Sequence, residues 1–220
     1  MSARMNFEHE LETLHNELSR MGIYVEKAID DIFYALENQD MEVAKGIVEG
    51  DRFVNDMEKT IESKCLSMIA RQQPVARDLR VVSATLKVVT DIERIGDQAA
   101  DIAEMAIRCQ NINIYHVAEK MPDLIKIAKD MVHYAVDAFI QKDEKRAREI
   151  IEMDDVADDL FNEVKNSLVE CLKAESVNAD YLVDILLIAK YLEKIADHAV
   201  NICEWGIFRE TGAMENVRIL

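Results

Sequence analysis

The sequence contains few glycine, proline and aromatic residues. Its 220 residues include six glycines and two prolines, and aromatic residues make up 6% of the chain. This leaves little material for turns, and strand-forming residues are sparse beside Ala, Leu, Met, Glu and Lys. Charged residues make up 31% of the chain. The composition therefore predicts an all-α protein made of long amphipathic helices.

Basic residues are scarce relative to acidic ones. The chain has 26 Lys and Arg residues and 43 Asp and Glu residues, which gives a formal net charge of -17. A nucleic-acid-binding protein needs a basic surface to displace counterions from phosphates, so the charge argues against a nucleic-acid partner. The same charge suits the binding of cations.

Long hydrophobic runs and cysteine motifs are also missing. No stretch approaches the roughly 18 uncharged residues of a membrane span, and the N-terminal MSARMNFEHE has no apolar signal region. We therefore expect a cytoplasmic protein with no direct membrane insertion. No C-x-x-C occurs, so neither a zinc knuckle nor a disulfide framework is indicated. We expect reduced cysteines, three of them facing the core; the four are Cys65, Cys109, Cys171 and Cys203.

Apolar residues recur at intervals of three and four over most of the chain. One such series from Phe7 to Ala35 predicts a helix of roughly thirty residues. After a short polar joint, in which Asp40 can cap the next helix, a second series predicts another helix. RQQP at 71–74 interrupts this pattern, and because proline is tolerated in a first helical turn, a third helix is predicted to begin near Pro74.

The second half of the chain repeats the first. Ile47 and the apolar residues after it reappear 103 positions later from Ile150, and the joint at Asp40 recurs as Asp143. ERIGDQAADIAE at 93–104 aligns without a gap with EKIADHAVNICE at 193–204. Short joints favour antiparallel neighbours. The sequence thus predicts two tandem antiparallel three-helix bundles related by an internal repeat, at residues 1–110 and 115–212.

The aligned segments carry acids at matching positions. On a helix with about 100° per residue, Glu93, Asp97, Asp101 and Glu104 cluster opposite the apolar side. Glu193, Asp197 and Glu204 take the same positions in the second half, with Asn201 in place of Asp101. Like charges four residues apart destabilise a helix by about 0.2–0.5 kcal/mol per pair. The pattern therefore indicates either a solvated face or a face neutralised by a cation.

Acids on the preceding helix favour the cation. Asp51 precedes the first acidic segment, and Asp154 with Asp158 precedes the second. Carboxylates from adjacent helices can converge on one ion, and an all-oxygen set favours hard ions such as Mg²⁺, Mn²⁺ or iron. The sequence predicts two metal sites with four carboxylates each, and hence comparable affinities. Their ligands would be Asp51, Glu93, Asp97 and Asp101, and Asp154, Asp158, Glu193 and Asp197.

Several of these motifs together resemble the PhoU family. They are ERIGD after RQQPVARDLR, EKIAD one hundred residues later, and the segment EGDRFVNDME. The resemblance runs from Leu14 to about Phe208. It implies two three-helix bundles that can carry multinuclear metal clusters, with Glu93, Asp97, Glu193 and Asp197 as core ligands and Asp101 extending the first motif.

The resemblance also implies a role. PhoU proteins link a phosphate ABC transporter, through its ATPase subunit, to a sensor histidine kinase, and they negatively control phosphate uptake and the phosphate-starvation response. A homodimer is expected from the same resemblance. The bound ions would be divalent or trivalent, with iron, manganese or magnesium the main candidates.

Two other classes of function remain open from the residues. A carboxylate-bridged metal oxidase or ferroxidase would also use such acids, and a structural scaffold would bind no metal. The sequence has no glycine-rich phosphate loop and no nucleophile elbow, which favours a non-enzymatic adaptor. Glu12-x-x-His15 matches half of a di-iron motif, but one copy is expected to be a chance match. His198, beside the second acidic segment, is expected to be a polar flank.

Overall fold

The computed structural model describes residues 3–214 and 217–218. Helices make up most of this part of the chain, and a pair of two-residue strands, β1 (Ala213–Met214) and β2 (Val217–Arg218), lies antiparallel after the last helix. The helices are α1 (Ala3–Asn38), α2 (Met41–Gln72), α3 (Arg77–Arg108), α4 (Ile114–Val117), α5 (Met121–Gln141), α6 (Glu144–Ile151), α7 (Asp154–Lys173) and α8 (Ala179–Thr211).

Two helical bundles in tandem account for these elements, as predicted. Helices α1, α2 and α3 pack on one another in the first repeat. In the second repeat α5 corresponds to α1, α6 and α7 together correspond to α2, and α8 corresponds to α3. The short α4 lies in the connection between the repeats and is capped by the Asn113 side chain. The all-α repeated fold is thus confirmed, while the boundaries at residues 110 and 115 stay a prediction.

The repeated polar joint works as a helix cap in both halves. The Asp40 carboxylate accepts hydrogen bonds from the backbone N–H groups of Glu42 and Val43 at the start of α2. Asp143 accepts one from the N–H of Arg146 at the start of α6, at 3.0 Å. A side chain that satisfies these otherwise unpaired donors stabilises a helix by about 1 kcal/mol. The same residue type therefore sets both helix starts.

The prediction that the third helix begins near Pro74 is wrong by three residues. Helix α2 ends at Gln72, and Gln73 takes a left-handed conformation in which its N–H donates to the Ile69 carbonyl. Ala76 also has a positive φ of 48°, so the chain turns twice before α3 begins at Arg77. Pro74 therefore lies in the connection between the helices instead of the first turn of α3.

The second repeat breaks the helix that corresponds to α2. The N–H of Met153 donates to the Ile150 carbonyl three residues back, and the N–H of Val156 donates to the Met153 carbonyl in the same way. This tighter hydrogen bonding separates α6 from α7. The break lies immediately before Asp154, one of the predicted metal ligands.

The two repeats share one continuous apolar core, and its centre is the packing of α3 against α8. Cross-contacts show that these helices run antiparallel. At one end Arg77 pairs with Glu210 at 3.3 Å, and at the other Arg108 pairs with Asp184 at 2.9 Å. Because α3 belongs to the first repeat and α8 to the second, this packing fixes the repeats relative to each other.

The cysteines behave as expected: all four are free, and three of them are buried. In the described part of the chain, no helix is both long enough and apolar enough to cross a bilayer.

Two glycines allow a test of this packing with one type of substitution. A Cβ on Gly22 of α1 would lie 2.6 Å from Cγ1 of Val136 of α5, and a β-branched valine has little freedom to move away. A Cβ on Gly46 of α2 would meet nothing within 4 Å.

We predict that the two alanine substitutions act in opposite directions. Gly22→Ala should lower the free energy of unfolding by about 1–3 kcal/mol because it overpacks the contact between α1 and α5. Gly46→Ala should raise it by up to about 1 kcal/mol, because alanine restricts the unfolded chain and favours a helix. Urea unfolding followed by circular dichroism measures both. A neutral or stabilising Gly22→Ala would contradict the close approach of the two helices.

Candidate metal centres

The first acidic cluster lies where α2 packs against α3. The Asp51 carboxyl of α2 is within hydrogen-bonding reach of that of Asp97 of α3, and the Asn55 amide donates to Asp51 at 3.1 Å. Glu93 lies one turn before Asp97, and its side chain is only 12% exposed. The structure therefore brings Asp51, Glu93 and Asp97 together, and it places them in a half-buried groove between helices instead of on an open helix face.

Burial and mutual repulsion raise the pKa of Glu93 and of Asp51. For Glu93, burial and then the charge of Asp97 raise the pKa to about 7. For Asp51, burial and then the charge of Asp97 raise the pKa above its ordinary value. The carboxylates of this cluster are thus closer together and less hydrated than is favourable for their charged forms.

Several oxygens in this cluster lack a hydrogen-bond donor. Among the buried side-chain oxygens without one in the described residues are Oδ1 of Asp51, Oδ1 of Asn55 and Oε2 of Glu93. Leaving a buried acceptor unpaired is costly, and native proteins rarely do it without a ligand, an ion or a water to satisfy the group. Three such oxygens from two helices fit the all-oxygen surroundings of a hard cation.

Asp101 lies at the edge of this cluster, on the interface between α3 and α8. Its carboxylate accepts a hydrogen bond from the Tyr191 hydroxyl of α8, while burial raises its pKa. An equivalent contact uses the position on α3 that matches Tyr191. There Asp91 accepts from the Asn201 amide of α8 at 3.2 Å and also contacts His198 at 2.8 Å. Asp101 and Asn201 thus occupy equivalent positions, and both make contacts between the repeats.

The second acidic cluster lies between α7 and α8. Burial, then the charges of Asp197, Asp158 and Glu193, raises the pKa of Asp154. Burial, then Glu193 and Asp197, raises that of Asp158, whose side chain is exposed at the rim. All four predicted ligands of the second site therefore lie within electrostatic reach of one another. Their role as metal ligands stays a prediction.

Glu58 is an acid of the first cluster that the sequence analysis missed. It lies two turns after Asp51 on α2, and its charge helps to raise the pKa of Glu93. Thr90 of α3 lies beside it, and the Thr90 hydroxyl donates to the Leu86 carbonyl at 3.3 Å. The seven-residue spacing from Asp51 puts both acids on the same helix face, so the spacing alone could have indicated it.

The equivalent positions in the second repeat carry no acid. Phe161 replaces Glu58, and Lys190 replaces Thr90. Lys190 lies over the Phe161 ring, 5.2 Å from its centroid, and pairs with Glu193 at 2.6 Å. The second cluster is therefore partly neutralised by a lysine that the first one lacks.

The two clusters also differ in the space beside them. A cavity of about 320 Å³ next to Asp51 is lined by Gly46 and Gly50 of α2 and by Lys27 of α1. In the second repeat the equivalents of the two glycines are Glu149 and Met153. Only the first repeat has small residues there, so water has a wider approach to Asp51.

As the side chains stand, no group of three or more His, Cys, Asp or Glu residues among the described residues could hold a metal ion. The acids instead make ion pairs with basic neighbours on their own helices. Arg94 pairs with Asp97 at 3.2 Å in the first cluster, and Lys194 pairs with Asp197 in the second. Metal binding would require these exposed cations to swing away, which long flexible side chains allow.

The half motif Glu12-x-x-His15 lies apart from both clusters. The charges that act on His15 are those of Arg209 and Lys142, and neither residue belongs to an acidic cluster. The structure therefore does not assemble a ferritin-like Glu and His set around this histidine.

Comparison with known proteins gives one family. The PhoU domain model matches the chain twice, over residues 18–106 and 121–206. The phosphate-specific transport system accessory protein PhoU homolog of Clostridium acetobutylicum is 38% identical over 95% of this chain and 96% of its own length. The PhoU crystal structure from Pseudomonas aeruginosa superposes with a TM-score of 0.89 at 32% identity, and covers 94% of this chain and 100% of its own. PhoU from Streptococcus pneumoniae gives 0.87 at 25% identity, over 96% and 100%.

The raised pKa of Glu93 predicts a pH dependence of stability. The folded state retains a proton that the unfolded state releases above pH 4.5, so stability falls as the pH rises from about 4.5 to about 7. In metal-free protein, Glu93→Gln should match the parent near pH 4. At pH 8 it should be more stable by roughly 1–2 kcal/mol, less than the full linkage value because the groove is partly hydrated.

Urea unfolding in the presence of a chelator, at several pH values, measures this difference. Glu152→Gln, at an exposed position, is the matched control and should show no such divergence. A Glu93→Gln variant that is less stable than the parent at pH 8 would mean that the carboxylate holds the fold together.

Proposed function

Because the chain belongs to the PhoU family, we propose that it is a regulatory accessory protein of a phosphate-specific transport system. Its relatives of that name match it over nearly their full length, and both repeats take part in the match. In this role it negatively controls phosphate uptake and the phosphate-starvation response. Its partners are the ATPase subunit of a phosphate ABC transporter and a phosphate-responsive sensor histidine kinase, met in the cytoplasm by a homodimer.

Two half-buried carboxylate clusters support the proposal that this function depends on a bound metal ion. Asp51, Glu93 and Asp97 would hold a cation in the first repeat, with Glu58 and Asp101 beside them. Asp154, Asp158, Glu193 and Asp197 would hold one in the second. Iron, manganese and magnesium suit these oxygen ligands.

A bound cation would supply the missing positive charge between neighbouring helices. In the first repeat it would join α2 to α3, and in the second it would join α7 to α8. Since α3 and α8 form the centre of the molecule, both ions would brace the outer helices against the same central pair. The stability of the fold would then follow the supply of the metal.

The proposal needs no catalytic group. A ferroxidase of the helical-bundle type uses histidines with its carboxylates. In the described part of the chain, His15 lies apart from the clusters and His198 pairs with Asp91 on the interface between the repeats. These positions favour the adaptor over the oxidase. A scaffold without metal would leave buried oxygens of Asp51 and Glu93 without a hydrogen-bond donor, although Arg94 lies 3.5 Å from that of Glu93.

The surface charge suggests how partners are met. The apolar faces of the helices are used in the core that the repeats share, and the chain carries a net charge of -17. Partners would therefore contact mainly acidic helix faces through basic residues of their own. Such contacts are weakened by salt.

We predict that the tagged protein, expressed with the transporter ATPase subunit and the sensor kinase, retains both on an affinity resin. Retention should decrease as the salt concentration rises from about 0.1 M to about 1 M, because the Debye length falls from about 10 Å to about 3 Å. A parallel purification with a chelator tests the dependence on metal.

Failure to retain either partner, with both expressed, would contradict the adaptor function. Retention that strengthens in high salt would mean that the partner meets an apolar surface. Retention that is equal with and without the chelator would mean that partner binding does not require a bound metal ion.

A further inference from the structure

A cleft of about 630 Å³ lies between the two repeats, away from the acidic clusters. It is bounded by α1 and the start of α3 on one side and by the C-terminal ends of α5 and α8 on the other. Its accessible apolar surface comes from Leu11 of α1, Val81 of α3 and Ile140 of α5, which are partly exposed. None of the predicted metal ligands lines it, so it is a separate feature of the fold.

Positive side chains from four helices converge on this cleft. Arg4 comes from α1, Arg77 from α3, Lys142 from the end of α5 and Arg209 from α8. This grouping stands out in a chain whose net charge is -17. A local excess of cation in such a chain is the electrostatic condition for holding an anion.

The guanidinium of Arg209 is fixed in place. The residue is only 3% exposed, its Nη2 donates to the Phe139 carbonyl at 2.8 Å, and its guanidinium carbon lies 4.2 Å from the centroid of the Phe139 ring. Its Nε donates to Glu210 at 3.1 Å. A buried, held cation at the wall of a cleft is pre-organised to meet a ligand.

The acids of the cleft do not use all of these donors. Asp78 pairs with Arg4 at 2.5 Å, and Glu210 is shared by Arg77 at 3.3 Å and Arg209. Each guanidinium has five N–H donors, so these pairs leave several unused. Lys142 makes no ion pair with any residue that the structure describes.

His15 of α1 lies at the cleft beside two of these cations. Burial, then the positive charges of Arg209 and Lys142, lowers its pKa. The other charged groups that line the cleft near it are Glu12 on its own helix, Arg77 with Asp78 on α3, and Glu210 on α8. Burial and the cations of Arg209 and Lys142 together disfavour the protonated imidazole.

We propose that this cleft binds a small organic molecule that carries an oxyanion on an apolar body. The oxyanion meets Lys142, Arg77 and Arg209, and the apolar body lies against Leu11, Val81 and Ile140. Phosphate esters and carboxylates share this chemistry, because both offer oxygen acceptors to guanidinium and ammonium donors. Since the cleft is built from both repeats, the ligand would contact the two at once and stabilise their present arrangement.

Three probes with the same ring test the proposal on the full chain. Phenyl phosphate and benzoate carry the two kinds of oxyanion, and benzyl alcohol is the neutral control. Titration calorimetry measures binding, and proton NMR follows the C2 proton of His15 through a pH titration, with the signal of exposed His9 on the same helix as the reference. An anion beside His15 should raise its pKa.

The expected result is that one of the two anions binds with Kd of about 1 mM or tighter and raises the pKa of His15. Lys142→Gln should weaken this binding by about fivefold or more, through loss of a charge-assisted contact. Lys129→Gln is the matched control, because Lys129 lies on the same helix but pairs with Asp30 outside the cleft. It should bind as the parent does.

The tighter of the two anions identifies the class of ligand. Preference for phenyl phosphate assigns the cleft to phosphate esters, and preference for benzoate assigns it to carboxylates. Binding of neither anion, equal binding of benzyl alcohol, or unchanged binding by Lys142→Gln would overturn the proposal. Because no probe contains metal and no metal ligand is altered, these outcomes do not depend on the metal sites.

Discussion

The packing of α3 against α8 is the constraint on which the other features depend. It forms the centre of a core shared by both repeats, and it is crossed by polar contacts at matching positions, Asp101 with Tyr191 and Asp91 with Asn201. With one side of each central helix used in this way, another side is left for α2 in the first repeat and for α7 in the second. The acidic segments of α3 and α8 lie on those sides, so the same packing creates two grooves where carboxylates from adjacent helices meet.

Most of the fold could be predicted from the sequence because its signals are local and repeated. Asp40 and Asp143 cap helices as expected, and the apolar series from Val88 to Ala106 is buried. The errors lie where backbone geometry decides. A proline at position 74 is compatible with a first helical turn, but Gln73 and Ala76 with positive φ move the start of α3 to Arg77. Nothing in the local sequence marks these two residues as left-handed.

The membership of the two candidate metal sites stays a prediction, and the structure adds neighbours that the repeated motifs do not include. Counting only the repeated motifs gives four carboxylates in each repeat, and equal affinity follows from that count. The structure adds Glu58 to the first cluster and Lys190 to the second. It also places Asp101 on the interface between the repeats. These differences arise from residues on neighbouring helices, whose distance from the motif in sequence hides their contact. More acids and fewer cations favour the first site, because ligand charge governs the affinity for hard cations.

The central claim is therefore that each repeat holds one cation between its helices, and that the first holds it more tightly. Titration calorimetry of metal-free protein with Mn²⁺ tests it most directly, with Asp51→Asn and Asp154→Asn as variants at equivalent positions and Asp159→Asn, exposed on α7, as the control. The account predicts two sites of unequal affinity, loss of the tighter one in Asp51→Asn, loss of the weaker one in Asp154→Asn, and both sites intact in Asp159→Asn. A single site in the parent protein, or loss of both sites in either variant, would contradict it.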